Sequence, residues 1–135
     1  MSKLIKKVAL IGGGVIGGGW AARFLLNGLD VNVFDPSDSA ERSLNEMLSN
    51  AIHAYSKLTM APLLKPGKLS FFDSLEKAVQ DVEFIQESAP ERLELKLPIL
   101  NQIDRYAPET SLICSSTSGL KPSDLQAEMK HPERF

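Results

Sequence analysis

The segment VALIGGGVIG at residues 8–17 decides the fold of this chain. Its first residues continue a stretch, rich in aliphatic and β-branched side chains, that begins at Leu4 and stops at Gly12. Such a stretch without polar alternation predicts a buried strand. The apolar stretch that follows runs from Val15 and ends before Gly28, which predicts a short helix inside the domain with Gly28 as its left-handed C-terminal residue.

The glycines between this strand and this helix match the pattern G-x-G-x-x-G. Gly12 permits the tight turn, Gly14 lets the backbone approach a pyrophosphate, and Gly17 lets the helix pack close to the strand. The helix N-terminus offers N–H groups to the anion, so the loop is expected to bind a dinucleotide. The expected cofactor-binding residues of the loop are Gly12, Gly13, Gly14, Val15, Ile16 and Gly17.

A plain turn is the alternative for this loop, because glycine clusters also mark tight turns that bind nothing. The pattern itself does not include Gly18 and Gly19. Close approach to a neighbouring element is the expectation for these two glycines.

A second strand is predicted over Val31 to Phe34, and the acidic residue Asp35 follows it directly. Asp35 lies 18 residues after Gly17. A dinucleotide fold places there the carboxylate that accepts hydrogen bonds from the adenosine ribose. A 2′-phosphate would meet a like charge, and no arginine adjoins Asp35, so NAD is predicted rather than NADP. An aspartate before a proline is also a common turn initiator.

The remaining chain alternates helical and strand patterns, and Pro98 is expected near the first turn of its helix. The elements predicted are a helix from 37 to the break at 62–68, a strand over 69–72, a helix opening at 73–76, a strand over 82–87, a helix over 92–107, a strand over 111–115 and a short helix from 121 to near 130. Parallel strands need crossover helices, so the fold class is α/β, a doubly wound parallel sheet of the Rossmann type. Residues 1–135 are expected to form one domain.

Composition argues against several classes of partner. The chain has 15 basic and 17 acidic residues scattered along it, which predicts no nucleic-acid surface. It shows no signal-peptide pattern and no apolar run of about 18 residues, which predicts a cytoplasmic protein without a membrane partner. Its single cysteine, Cys114, lies in an apolar run and is expected to be a buried thiol rather than a ligand.

Three blocks of the sequence resemble the 3-hydroxyacyl-CoA dehydrogenase superfamily. They are residues 8–17, QESAPER at 86–92 and SSTSGL at 115–120, and they keep that family's order and approximate spacing. Together with GGWAA at 18–22, the later blocks look most like the L-carnitine dehydrogenases. The resemblance implies NAD as cofactor and a small 3-hydroxy acid as substrate, with L-carnitine oxidised to 3-dehydrocarnitine.

The resemblance also implies roles for single residues. Glu91 and Lys96 match positions that contact the nicotinamide half of the cofactor, and so does Ser116, where the family usually has asparagine. Ser118 matches the serine that hydrogen-bonds the 3-oxygen of the substrate and is the expected catalytic residue of this chain. Two structural alternatives stay open: the Ser/Thr cluster as a helix cap, and Glu91 with Lys96 as a solvated helix pair.

Other parts of the family's machinery are expected beyond Phe135. These are the catalytic histidine, the glutamate that orients it, the last strands of the sheet, and the helical domain that shapes the substrate pocket and the interface of a homodimer. We therefore expect a truncated Rossmann domain that does not turn over alone. His131 and His53 are expected to be surface residues.

Alternative functions remain within and outside this class. The stretch between Asp35 and Leu69 is shorter than in members that use coenzyme A, which disfavours a CoA substrate. A 3-hydroxyacyl-CoA or L-gulonate dehydrogenase is the alternative within the class. A noncatalytic, crystallin-like relative is the alternative outside it.

Overall fold

The computed structural model describes residues 4–58, 60 and 62–135. A five-stranded parallel sheet with the order β3-β2-β1-β4-β5 forms its centre. The strands are β1 Lys7–Ile11, β2 Asp30–Phe34, β3 Leu69–Phe71, β4 Phe84–Glu87 and β5 Leu112–Ser115. The helices are α1 Val15–Leu26, α2 Ala40–Leu58, α3 Leu75–Val79, α4 Leu93–Tyr106 and α5 Pro122–Leu125, followed by a 3-10 turn, Pro132–Arg134. The predicted Rossmann-type α/β fold is confirmed.

The sheet is buried on both faces, which explains why β1 lacks polar alternation. Ala9 and Ile11 point into a core that α3 and α4 complete. Val8 and Leu10 point into a second core on the opposite face, which α1 and α2 complete. Successive side chains of a strand face opposite sides, so both sets of β1 side chains are apolar.

Several predicted boundaries were wrong by a few residues. β1 begins at Lys7, not Leu4, because the register with β2 begins where Lys7 meets Asp30. The helix expected to end near residue 130 ends at Leu125. Pro98 lies in the second turn of α4, because this helix begins at Leu93. Proline has no N–H to donate to the carbonyl of Glu94, four residues earlier, and both residues are exposed.

The end of α1 confirms the role predicted for Gly28. Its φ is 82°, in the left-handed region that favours glycine. Its N–H donates to the Leu25 carbonyl, and the N–H of Leu29 donates to the Phe24 carbonyl. This pair of bonds is the Schellman motif, which satisfies carbonyls that the helix leaves free.

The two glycines that follow the loop pattern, Gly18 and Gly19, have different surroundings. A Cβ atom on Gly18 would lie 2.3 Å from Cε of Met47 in α2, so the expected close approach is confirmed for Gly18. The same expectation is wrong for Gly19, where no described atom lies within 4 Å of such a Cβ. Within the described part of the chain, no helix is long and apolar enough to cross a membrane.

Candidate cofactor site

A cleft of about 720 Å³ opens at the carboxyl ends of the strands. The sheet order places β2 and β3 on one side of β1, and β4 and β5 on the other. Open parallel sheets bind their ligands at this point, where the strand order reverses. The residues that line the cleft include Gly14, Val15, Asp35, Ser88, Glu91 and Ser116.

The glycine loop after β1 has a shape that side chains would prevent. Gly12 has a φ of 104°, and a Cβ atom on it would lie 2.8 Å from the carbonyl oxygen of Ser88. A Cβ atom on Gly17 would lie 1.9 Å from the carbonyl oxygen of Gly12. Gly17 therefore lets α1 pack against the loop, as the G-x-G-x-x-G pattern predicts, and Gly12 lets the loop approach the segment after β4.

Gly14, by contrast, borders open space. It is the N-cap residue of α1, and no described atom lies within 4 Å of a Cβ built on it. The N–H groups of the first turn of a helix lack partners within that helix and attract anions. A diphosphate therefore fits this helix N-terminus, where Val15 and Ile16 are exposed in the lining of the cleft.

Asp35 combines the two roles that its sequence position allows. Its Oδ1 accepts a hydrogen bond from the N–H of Ser37 at 2.7 Å, which makes the turn expected before a proline. Its Oδ2 accepts a hydrogen bond from the N–H of Gly13 at 2.6 Å. Each carboxylate oxygen can accept a second hydrogen bond, so Asp35, which lines the cleft, retains capacity for ribose hydroxyls.

A buried ion pair, Glu87 with Lys96, supports the loop after β4. Nζ of Lys96 lies 2.8 Å and 3.0 Å from the carboxylate oxygens of Glu87, and 3.0 Å from the carbonyl oxygen of Ala89. The Lys96 and Glu87 side chains are 1% and 0% exposed. Sequence reasoning missed this pair, although an acidic residue at the end of an apolar strand signals a need for a partner.

This ion pair changes the interpretation of Lys96. The alternative that Lys96 forms a solvated helix pair with Glu91 is wrong, because Lys96 is buried and its three N–H donors bond Glu87 and Ala89. Glu87 also accepts from the N–H of Ala89 at 2.6 Å and from the hydroxyl of Ser115. A direct contact of Lys96 with the cofactor stays a prediction, whereas its structural role is to hold the segment after β4.

A second polar group joins the ends of β4 and β5. Nε2 of Gln86 donates to Oγ of Ser116 at 2.8 Å, and Oγ of Ser116 lies 2.7 Å from Oγ of Ser88. Gln86 is 4% exposed, and both serines line the cleft. Ser116 was expected at the cofactor, but Gln86 and Ser88 were not found from the sequence.

Glu91 connects the segment before α4 to the loop after β5. Its carboxylate accepts a hydrogen bond from the hydroxyl of Thr117 and another from the N–H of Ser118 at 3.2 Å. The hydrogen bond from Thr117 lowers the pKa of Glu91 below its ordinary value, and the N–H of Ser118 adds to this effect. An acceptor that stays anionic therefore lines this side of the cleft.

Ser118 is exposed beside this carboxylate and is not among the residues that line the cleft. The alternative that it caps the following helix is wrong, because the N-cap residue of α5 is Lys121. The Thr117 hydroxyl makes the local turn instead by accepting from the N–H of Leu120 at 3.3 Å. The catalytic role of Ser118 stays a prediction.

The remaining residues considered from the sequence lie away from the cleft. His53 is exposed on α2. His131 is half-buried, and its Nδ1 lies 3.4 Å from a carboxylate oxygen of Asp104, so the expectation of a simple surface residue is only partly right. Cys114 is half-buried rather than fully buried, and burial raises the pKa of its thiol.

Comparison with known proteins identifies the family of this chain. The family model described as 3-hydroxyacyl-CoA dehydrogenase, NAD binding domain, matches residues 7–135. The chain is 62% identical over 131 residues to the L-carnitine dehydrogenase/betainyl-CoA thioesterase of Rhizobium meliloti (strain 1021), a match that covers 97% of this chain and 26% of that protein. It is 52% identical to the L-carnitine dehydrogenase of Mesorhizobium japonicum, with 98% and 36% covered.

A solved structure shares the fold at comparable coverage. The NAD+-dependent 5-formyl-3-hydroxy-2-methylpyridine 4-carboxylic acid 5-dehydrogenase superposes with a TM-score of 0.86 at 32% identity. This match covers 97% of this chain and 43% of that one, so the chain spans less than half of each of these relatives. Since the family model covers nearly all of the sequence, the chain belongs to the NAD-binding domain family of the 3-hydroxyacyl-CoA dehydrogenases, and its cofactor is NAD.

Proposed function

We propose that the intact protein is an L-carnitine dehydrogenase, which oxidises the 3-hydroxyl of L-carnitine to give 3-dehydrocarnitine. The observation that carries this proposal is the 62% identity to a protein named for that activity, over 97% of this chain. The cleft supports it, because Gly12 and Gly14 of the glycine loop and Asp35 line it at the carboxyl ends of the strands. We include in the proposal that residues 1–135 are its NAD-binding domain.

The proposed cofactor contacts come from residues that follow four strands. The loop after β1, with Gly12, Gly13, Gly14, Val15, Ile16 and Gly17, would hold the diphosphate at the N-terminus of α1. Asp35, after β2, would accept from the adenosine ribose hydroxyls. Glu91 and Ser116, which follow β4 and β5, would face the nicotinamide half, while Lys96 acts on that half through Glu87 and Ala89.

The chemical roles of this chain are positioning roles. NAD supplies the hydride acceptor for such an oxidation when it is bound. The protein must bind L-carnitine with its 3-hydroxyl over the β4 and β5 ends, and Ser118 is the proposed hydrogen-bond partner of that oxygen. The proton acceptor is proposed to be the family's histidine, which the resemblance places after Phe135.

The segment between β2 and β3 favours a small substrate over an acyl-CoA. It contains α2, Ala40–Leu58, as the single helix of its described part. The resemblance implies that members which use coenzyme A carry a longer helical insertion at this position. We therefore propose a small acid as substrate, and a homodimer in the cytoplasm as the working form of the intact protein.

A substrate panel on the intact protein tests the proposal. L-carnitine, L-gulonate and (S)-3-hydroxybutyryl-CoA are each offered with NAD, and NADH formation is followed by absorbance. We expect kcat/KM to be highest for L-carnitine. A higher value for either rival would replace the proposed substrate, and absence of turnover with all three, together with intact NAD binding, would favour a noncatalytic relative. Sedimentation of the same sample tests the dimer.

A further inference from the structure

We propose that the hydrogen-bonded pair of Ser88 and Ser116 has one free hydroxyl proton, which either serine can supply to the carboxamide oxygen of nicotinamide. We propose further that Gln86 positions this pair. This inference rests on NAD lying in the cleft as proposed above. It assigns a binding role to Ser88 and a positioning role to Gln86, beyond the role expected for Ser116.

A count of protons shows that the pair has one donor left for a ligand. Nε2 of Gln86 donates to Oγ of Ser116 at 2.8 Å, so this bond uses neither hydroxyl proton. One serine donates to the other across 2.7 Å, which uses one of the two hydroxyl protons. The second hydroxyl proton is free in either arrangement, and both serines line the cleft.

The position of the pair selects the half of NAD that it would meet. The glycine loop after β1 lies at the centre of the cleft, and Asp35 lies on the β2 side. Ser88 and Ser116 follow β4 and β5, on the other side of β1. When a diphosphate occupies the centre and the adenosine lies over β2, the nicotinamide riboside lies over β4 and β5.

The neighbouring groups indicate which atom of the nicotinamide riboside would accept the hydrogen bond from the serine pair. Glu91, with its lowered pKa, offers acceptor oxygens, which suit the hydroxyls of the nicotinamide ribose. A carbonyl oxygen can only accept, so it needs a donor such as the free hydroxyl of the serine pair. The carboxamide oxygen is the neutral carbonyl acceptor of the nicotinamide ring, and it completes the match.

The test compares the binding of NADH and ADP-ribose by the intact protein, measured by titration calorimetry. The two ligands share the ADP-ribose part, but only NADH has the carboxamide, and its ring carries no charge. Ser88→Ala and Ser116→Ala each leave one hydroxyl, so we expect at most about a twofold loss of NADH affinity for each. The double variant should lose about threefold to tenfold, which corresponds to one net hydrogen bond. ADP-ribose affinity should not change.

Substitutions of Gln86 test the direction of the proton. Gln86→Glu places an acceptor beside Ser116, which would take one of the two hydroxyl protons. Ser116 and the ligand would then compete for the proton of Ser88. We expect this variant to bind NADH more weakly than the wild type, and Gln86→Met, which removes the donor that orients Ser116, to lie between this variant and the wild type. Ser111→Ala is the control, because Ser111 is buried directly before β5 and donates to the Val82 carbonyl at 2.6 Å, away from the cleft. It should lower the melting temperature and leave the ratio of the two affinities unchanged.

The outcomes separate this inference from the proposed cofactor site. Failure of the wild type to bind ADP-ribose would remove the cofactor site itself. Wild-type binding of both ligands with an unchanged affinity ratio in the double variant would overturn only the donor pair. A full loss in Ser116→Ala alone would also overturn it, because a shared donor requires Ser88 to substitute for Ser116.

Discussion

The backbone N–H of Gly13 donates to Oδ2 of Asp35 at 2.6 Å, so the carboxylate after β2 holds the glycine loop after β1. The residue that would select the adenosine ribose therefore also shapes the diphosphate site. Loss of this side chain is expected to affect cofactor binding and stability together.

The first prediction concerns Asp35 and the choice between NAD and NADP. The wild-type protein should bind NAD far more tightly than NADP, because the 2′-phosphate would meet a like charge. Asp35→Ala should weaken NAD binding by about 1.5 to 3 kcal/mol, the range for hydrogen bonds to a charged group. It should also lower the melting temperature, because Gly13 loses its partner. Calorimetric titration with both cofactors measures the binding, and exposed Asp38→Ala is the control. Equal affinity of the wild type for both cofactors would contradict the prediction.

The second prediction concerns Gly14, which borders open space at the N-terminus of α1. A Cβ on Gly14 touches no described atom within 4 Å, so Gly14→Val should stay folded while its side chain occupies the space of the diphosphate. NAD affinity should fall below detection in a calorimetric titration. Gly19→Val is the matched control, because its Cβ is equally free of described atoms but lies outside the binding loop. Unchanged NAD affinity of Gly14→Val would mean that the loop is only a turn.

The third prediction concerns the buried pair of Lys96 and Glu87. Lys96→Met leaves a buried carboxylate without its cation and should destabilise the protein by about 3 to 5 kcal/mol. The double variant Lys96→Met with Glu87→Gln should recover part of this loss, because no uncompensated charge remains. Denaturant unfolding measures each change. Lys77→Met removes a lysine from an exposed pair with Asp73 and should change stability little. A similar small effect of Lys96→Met would show that the pair is dispensable.

The fourth prediction concerns Ser118 in the chemical step. A donor directed at a developing oxyanion is worth about 2.7 to 4 kcal/mol, so Ser118→Ala should lower kcat on the order of a hundredfold or more. NAD affinity should stay the same. The melting temperature should also stay the same, because Lys121 and not Ser118 is the N-cap residue of α5. Steady-state kinetics and a thermal melt of one purified variant decide this, and normal kcat would remove Ser118 from the site.

The fifth prediction concerns Asp104, which anchors the last turn of the chain. Burial raises the pKa of Asp104, but hydrogen bonds from Arg134 and from the N–H groups of His131 and Lys130 outweigh burial and lower it. A carboxyl with a lower pKa in the folded state stabilises fully above its unfolded pKa, about 3.9, and this contribution is lost as the pH falls through the folded value. Asp104→Asn should therefore be less stable than the wild type at neutral pH, with a difference that shrinks in acid. Melts across this acid range test it, and a constant difference would contradict it.

Local sequence was sufficient for the first βα unit and its glycine loop. The packing at Gly17 and the left-handed Gly28 depend on neighbours within a few positions, so their spacing in the sequence predicts them. The close approach at Gly12 depends in addition on Ser88, which is distant in the sequence. Asp35 could also be predicted from local sequence, because its place after a strand determines both its turn and its position at the cleft.

The pairing of polar side chains was decided only by the tertiary structure. The register of β4 and β5 sets Gln86 beside Cys114 and Glu87 beside Ser115. Ser88 and Ser116 meet because each follows one of these paired strands, 28 residues apart in the chain. A shift of one residue in a parallel register would turn these side chains to the opposite face. The sequence by itself therefore determined the βα unit and its cofactor class, whereas the strand register decided which polar groups share hydrogen bonds, because such contacts join residues that local spacing cannot relate.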